Sequence, residues 1–239
     1  MKTEHNYIQI NRESWNNKTD THLDSEFYNL KGFINGETSL NDIELGLLGD
    51  VKGKSILHLQ CHFGQDSLSL ARLGANVTGV DLSDKAIQRA RELTEKIEVS
   101  AEFICCDIYD LPNHLDKQFD IVFTSYGTIG WLPELDKWGA IVSRFLKPKG
   151  KFVFVEFHPV VWMFDDDFDK IGYNYFKADA IVESESGTYA DKDADIKQKY
   201  VTWNHGIAEV LTSLLQNNIG LVAFEEFDYS PYDCFNHTV

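Results

Sequence analysis

Ser55 to Leu82 reads SILHLQCHFGQDSLSLARLGANVTGVDL, and no other stretch limits the possible folds as strongly. A short apolar run, a turn, a helically spaced apolar series, a glycine stop and a second apolar run ending in an acid follow one another. This is the strand–turn–helix–strand unit of a doubly wound α/β sheet, whose ligands sit beyond the carboxyl ends of the strands. In such a turn, backbone N–H groups and the positive end of the following helix face the ligand. Asp81 closes the second run, where an acid can accept from ribose hydroxyls. Turn and acid together predict a phosphate- or nucleoside-binding unit.

The downstream sequence extends the pattern. Ser83 is expected to cap a helix carrying Ile87, Ala90, Leu93 and Ile97 at helical intervals. Glu102 to Ile108 reads as a third strand. Phe119 to Tyr126 reads as a fourth, continuously apolar and so buried on both faces. A helix is expected over Leu135 to Leu146, with LKPKG ending it, then a fifth strand over Phe152 to Phe157. Strands alternating with helices predict parallel pairing through right-handed crossovers. The expected fold class is α/β: a doubly wound, mostly parallel sheet.

Residues 1–50 form a helical prelude, a cap on a domain spanning 51–239. Its expected pieces are a short helix over Ile8 to Asn17, a second through Phe27, Tyr28 and Leu30, and a third from Ser39 and Asp42. Residues 160–203 break the alternation. An acidic loop, DDDFD at 165–169, precedes two β-branched and aromatic runs, Tyr173 to Val182 and Ile196 to Trp203. They predict an inserted antiparallel hairpin, a lid or a dimer arm. A last helix is expected from Asn204 to Asn217, and a sixth strand over Leu221 to Tyr229.

With 22 basic against 38 acidic residues the net charge is −16. A nucleic-acid binder needs a cationic footprint, so neither nucleic acid nor an anionic membrane is an expected partner. Cys61, Cys105, Cys106 and Cys234 show no disulfide-scaffold or zinc spacing. The opening, MKTEHNYIQINRES, lacks a signal-type apolar core, and no run approaches a membrane span. These features predict a cytoplasmic protein. No metal is expected.

Residues 50–160 resemble the class I S-adenosylmethionine-dependent methyltransferase family. The family's D-x-G-x-G-x-G register falls on His58, Gln60, His62 and Gly64, so one glycine remains. Asp81 in GVDLS and Asp107 in CCDIYDLP match the acids ending the second and third strands. The FD-led fourth run and LKPKGKFVFVE also match. The resemblance implies a Rossmann-like methyltransferase fold and S-adenosylmethionine as cofactor, with S-adenosylhomocysteine as product. It implies transfer of a methyl group to a small-molecule acceptor by in-line displacement. The implied cofactor contacts are His58, Gln60, Cys61, His62 and Gly64 in the turn, Asp81 with Leu82 at the ribose, Asp107 with Ile108 at the adenine, and Ser125. His58 stands where the family has a carboxylate that helps hold the ligand's ammonium.

Each residue also has a plainer reading. Asp81 is a neighbour of the Ser83 cap, Asp107 a turn former with Asp110 and Pro112, Cys61 a small packing residue and His62 a surface histidine. The acceptor is expected beyond the fourth and fifth strands, near Tyr126, Trp131, Glu156 and His158. Trp203 and His205 approach from the insertion, Trp15 and Tyr28 from the prelude. His158 is the first candidate base, from its pKa range and place, with Tyr126 as the second catalytic candidate. The alternative for His158 is a turn-shaping role before Pro159. Two other functions remain open. One is a non-catalytic S-adenosylmethionine-binding sensor or partner-binding protein. The other is a nucleotide-dependent oxidoreductase, although Gln60 and His62 would crowd a pyrophosphate. Monomer and homodimer are both compatible with the sequence. The family usually ends its sheet with a strand hairpin. Only SPYDCFNHTV follows Tyr229, so either a shortened chain or a missing or replaced last strand is expected.

Overall fold

The computed structural model describes residues 6–165 and 167–235, so Asp166 of the acidic run and both chain ends lie outside the described residues. Five parallel strands form the central sheet: β1 (Ser55–Leu59), β2 (Asn76–Asp81), β3 (Ala101–Cys105), β4 (Phe119–Ser125) and β5 (Leu146–Val155). Their order is β3-β2-β1-β4-β5. The helices α4 (Gln65–Arg72), α5 (Asp84–Lys96) and α6 (Leu135–Phe145) connect them, and α7 (Ile207–Gln216) packs on α6. Strand residues alternate between two apolar layers. Leu57 and Leu59 face a cluster with Trp138, Val142 and Phe145 of α6. Ile56 and Phe123 face the other side, toward Leu48 of α3 (Asp42–Leu48) and Leu70 of α4. Both faces are covered, which is why these strands read as unbroken apolar runs.

Several segments depart from the sequence expectations. The first helix, α1, runs Tyr7–Asp24 rather than stopping near Asn17. Its buried face is Asn11, Ser14, Lys18, Thr19 and His22. Those polar residues recur at helical spacing, so an apolar pattern could not report the helix's full length. The second prelude piece is the short α2 (Leu30–Ile34). LKPKG does not separate α6 from the fifth strand. The strand starts at Leu146, and an irregularity in pairing between Phe119 and Ile121 absorbs residues 147–150. β3 ends at Cys105, and Ile108–Asn113 turn into a short 3-10 helix capped by Asp107. Leu221 to Tyr229 is not a strand. It pairs with no strand, and Val222 is 99% exposed.

The insertion does form an antiparallel hairpin, β6 (Ile181–Ser186) with β7 (Lys197–Thr202). Its first arm begins later than Tyr173. The prelude and the hairpin are tied at one rung. Asn11 Nδ2 donates to Val201 O, and Val201 N donates to Asn11 Oδ1, each at 2.8 Å.

Candidate functional site

The strand order reverses between β1 and β4, and a crevice opens at their carboxyl ends. A cavity of about 830 Å³ occupies it. Its floor is the turn after β1 and the ends of β2 and β4. Its roof comes from Trp15 and Lys18 of α1 and from Glu183, Glu185 and Tyr200 of the hairpin.

The floor keeps a glycine-type backbone with few glycines. Gln60, His62 and Gly64 have φ of 55°, 51° and 80°. Every second residue is therefore left-handed, at a cost of about 1–2 kcal/mol for each non-glycine. Side-chain bonds help hold the two exceptions. Gln60 Nε2 donates to Thr128 O at 2.8 Å, joining the turn to the loop after β4. His62 Nε2 lies 2.9 Å from His22 Nδ1 on α1. Gly64 is required for space as well, since a Cβ there would stand 2.7 Å from the Phe103 ring.

Asp81 ends β2 at the cavity wall. Its two oxygens accept from His62 N and Ser83 N, both at 2.8 Å. Asp107 accepts from Tyr109 N at 3.0 Å, beside the buried Ile108. Burial raises Asp81 to about 6 and also raises Asp107. Among the described residues neither forms an ion pair, although Arg12 is near enough to Asp107 to oppose the rise, and each carboxylate has lone pairs left for ligand hydroxyl or amino donors. Two acids on neighbouring strands suit the diol and exocyclic amine of a nucleoside. Gln60 Oε1 and His62 Nδ1 are buried without partners. Unsatisfied polar atoms clustered in one turn fit a ligand-binding surface.

A further carboxylate on the cavity floor was not anticipated. Asp66, in the first turn of α4, accepts from Ser39 Oγ at 2.7 Å and Ser125 Oγ at 3.2 Å. Burial lifts it to about 6, and nearby Glu44 adds to the rise. Glu44 is fully buried and accepts from the Tyr126 hydroxyl at 3.1 Å. Tyr126 is thus an oriented donor, held protonated chiefly by burial. An acid two residues into a helix reads in sequence as complementing the helix dipole, which hid Asp66.

The histidines here are neutral. Burial drives His22 and His58 down to about 3 and His62 well below its ordinary value. His58 and His62 stand four apart but go separate ways: His58 Nδ1 meets Ser67 Oγ at 2.8 Å under the turn, whereas His62 meets α1. Among the described residues no cluster of histidine, cysteine or acid side chains is placed to hold a metal. Lys18, 4% exposed, lies 3.4 Å from Glu185 and over the rings of Trp15, Trp131 and Tyr200.

Apart from Glu156, His158 and His205, every residue anticipated for the site lines the cavity, including Cys61, Leu82, Tyr28 and Trp203. His158 does not. β5 ends at Val155, and the following turn carries the ring outward, 41% exposed, to pair with Glu226 at 2.8 Å. His205 is buried behind the wall, bonded to Leu132 O at 2.8 Å and 3.1 Å from Glu209. Glu156 is occupied by the loop after β4, accepting from the N–H groups of Gly127, Thr128 and Ile129.

A family model described as a methyltransferase domain matches residues 56–150, from β1 into β5. The match covers less than half of the chain. An uncharacterized methyltransferase of Synechocystis is 36% identical over 134 residues, 55% of this chain and 60% of that protein. The ubiquinone biosynthesis O-methyltransferase of Coxiella burnetii is 33% identical over 104 residues, 44% of each chain. The chain thus spans about half the length of the curated relatives it matches. A solved S-adenosylmethionine-dependent methyltransferase from Mesorhizobium loti superposes with a TM-score of 0.57 at 20% identity, covering 82% of this chain and 87% of that one. A DhpI–SAH complex gives 0.57 at 18% identity, covering 89% and 88%. At such identities the likeness is one of fold. The matched methyltransferase domain includes the turn, Asp81, Asp107 and Tyr126, while α1 and the hairpin lie outside it.

Proposed function

We propose that the protein is an S-adenosylmethionine-dependent methyltransferase acting on a small-molecule acceptor. The observation that carries this reading is the pair of acids without ion-pair partners, Asp81 and Asp107, on adjacent strand ends beside the turn after β1. When bound, S-adenosylmethionine would supply a methyl group on a sulfonium, a good leaving group. Asp81 would accept from the ribose hydroxyls, and Asp107 from the adenine amino group, with Ile108 against the ring. Gly64, Gln60 and His62 would shape the floor under the amino-acid tail. Ser125 and Tyr126 line the end of β4 beside it.

For in-line displacement the protein's work is alignment and exclusion of water. The α1–hairpin roof, residues 1–50 acting as a cap, and the ring of Trp15, Trp131 and Trp203 serve both ends. A cavity of about 830 Å³ accommodates a nucleoside cofactor with a small acceptor and is roofed against a polymer. The charge of −16 also disfavours nucleic acid. The relatives named as O-methyltransferases of ubiquinone biosynthesis fit a small acceptor. His158 is outside the cavity, and this reading assigns it no part in the transfer. Among the described residues no helix is long and apolar enough to cross a membrane. With four free cysteines, a cytoplasmic location suits the chain, as monomer or homodimer.

Calorimetry with S-adenosylhomocysteine tests the cofactor. Micromolar-range binding is expected, and a folded protein that binds neither this product nor S-adenosylmethionine would sink the reading. Methyl-labelled cofactor incubated with metabolite extract then separates an enzyme, which labels an acceptor, from a binding protein, which labels none.

A further inference from the structure

The end of the cavity between β1 and β4 has acids where it needs a cation. His58 occupies the strand position at which the resembled family places an acid. It is 2% exposed, neutral, and reaches the cavity wall with Nε2 unpartnered. It brings no negative charge. Asp66 does, from the first turn of α4. Its hydrogen-bond partners among the described residues are two hydroxyls, Ser39 and Ser125, and no cation approaches it. Glu44 stands behind it, also served by neutral donors, Asn41 and Tyr126. Tyr28, Tyr126 and Tyr232 line this end of the cavity, and ring faces attract cations. A partly buried carboxylate without a counter-charge still loses hydration, and a cationic ligand group offsets that loss.

We infer that Asp66 receives a positively charged amine of the bound ligand, supplying the negative charge that His58 cannot. This rests on the reading of the cavity as an S-adenosylmethionine site. The chemistry recognised is an ammonium, from either the amino-acid tail of the cofactor or an amine on the acceptor.

The test compares wild type with Asp66→Asn, which keeps the shape and removes the charge. S-Adenosylhomocysteine carries the ammonium, whereas 5′-methylthioadenosine has the nucleoside without it. If the tail is the source, Asp66→Asn weakens S-adenosylhomocysteine binding at least tenfold and methylthioadenosine less than twofold. If the acceptor is the source, both nucleosides bind as in wild type. Methylammonium chloride then raises the melting temperature of product-loaded wild type above a sodium chloride control, and does not do so in Asp66→Asn. A variant indistinguishable from wild type on all three probes overturns the inference. A wild type that binds neither nucleoside removes the cofactor reading alone. Methylammonium titration of the unloaded protein still decides the ammonium site: stabilisation lost in the variant supports it, and no stabilisation ends it. Should Asp66→Asn fail to fold, Glu44→Gln lowers the same local charge from outside the cavity. It should then weaken the same probe severalfold, and an unchanged affinity counts against the inference.

Discussion

The two ends of the cavity hold their acids by different means. At the β2–β3 end, peptide groups do it: Asp81 accepts from His62 N and Ser83 N, and Asp107 from Tyr109 N two residues on. At the β1–β4 end, Asp66 accepts from serine hydroxyls 27 residues before it and 59 after. A peptide N–H only donates, so the first arrangement demands an acceptor at both carboxylate oxygens. A hydroxyl donates or accepts, so the second tolerates a change of charge. The β2–β3 end is rigid and local, while the β1–β4 end is assembled from distant segments and can respond to what binds.

The largest expected effect probes the rigid end. Asp81→Ala should weaken S-adenosylhomocysteine binding by about 100-fold or more, as two hydrogen bonds to a charged group are lost. His62→Ala should cost much less. Calorimetry that reversed this order would exchange the roles of turn and acid.

Acid should act next most strongly, on the fold itself. His22 and His58 are held near 3 against an unfolded value of 6.5. The unfolded chain therefore binds the extra protons below pH 6.5. Stability falls there by about 1.4 kcal/mol per pH unit for each such histidine. Asp66 and Asp81, raised to about 6, act oppositely between 6 and 3.8. With His62 also depressed, the histidines prevail. Urea unfolding of the ligand-free protein should show a loss on the order of 2 kcal/mol between pH 7.5 and 5.

Asp66→Asn and Asp81→Asn separate the two ends directly. A raised carboxyl costs stability above its folded pKa, so Asp66→Asn should stabilise the ligand-free protein at pH 7.5 by about 1 kcal/mol, a few degrees of melting temperature. At pH 4 the gain should vanish. Asp81→Asn should give no gain, because its NH₂ would face a peptide N–H. Equal melting shifts for the two would erase the distinction between the ends.

The smallest effect concerns the turn. Gln60→Ala keeps the left-handed φ and loses the bond to Thr128, whereas Gln60→Gly relieves the φ. Gly should be the more stable by about 1 kcal/mol. Equal stability would mean that the turn relaxes.

This contrast also explains what could be read in advance. The strands, Asp81 and Asp107 follow from local pattern and from chain groups a few residues away. Asp66 and Glu44 acquire meaning only when Ser39, Ser125 and Tyr126 arrive from elsewhere. The length of α1 was hidden because its buried face is polar. Leu221 to Tyr229 carries strand-type residues but has no partner along its length, and composition does not report pairing. His158 sits after a strand of the right kind, yet two residues of turn are enough to swing it to the surface.

The clasp of Asn11 on Val201 has a consequence for solubility. A two-stranded ribbon has open edges, and the outward peptide groups of β7 are a template on which another chain can add a strand. The primary amide of Asn11 imitates a peptide unit and occupies both groups of one rung, near the carboxyl end of that edge. Asn11→Ala would leave that rung of the β7 edge uncapped. Its expected signature is self-association of the variant by light scattering as concentration rises, where the wild type stays at its native size.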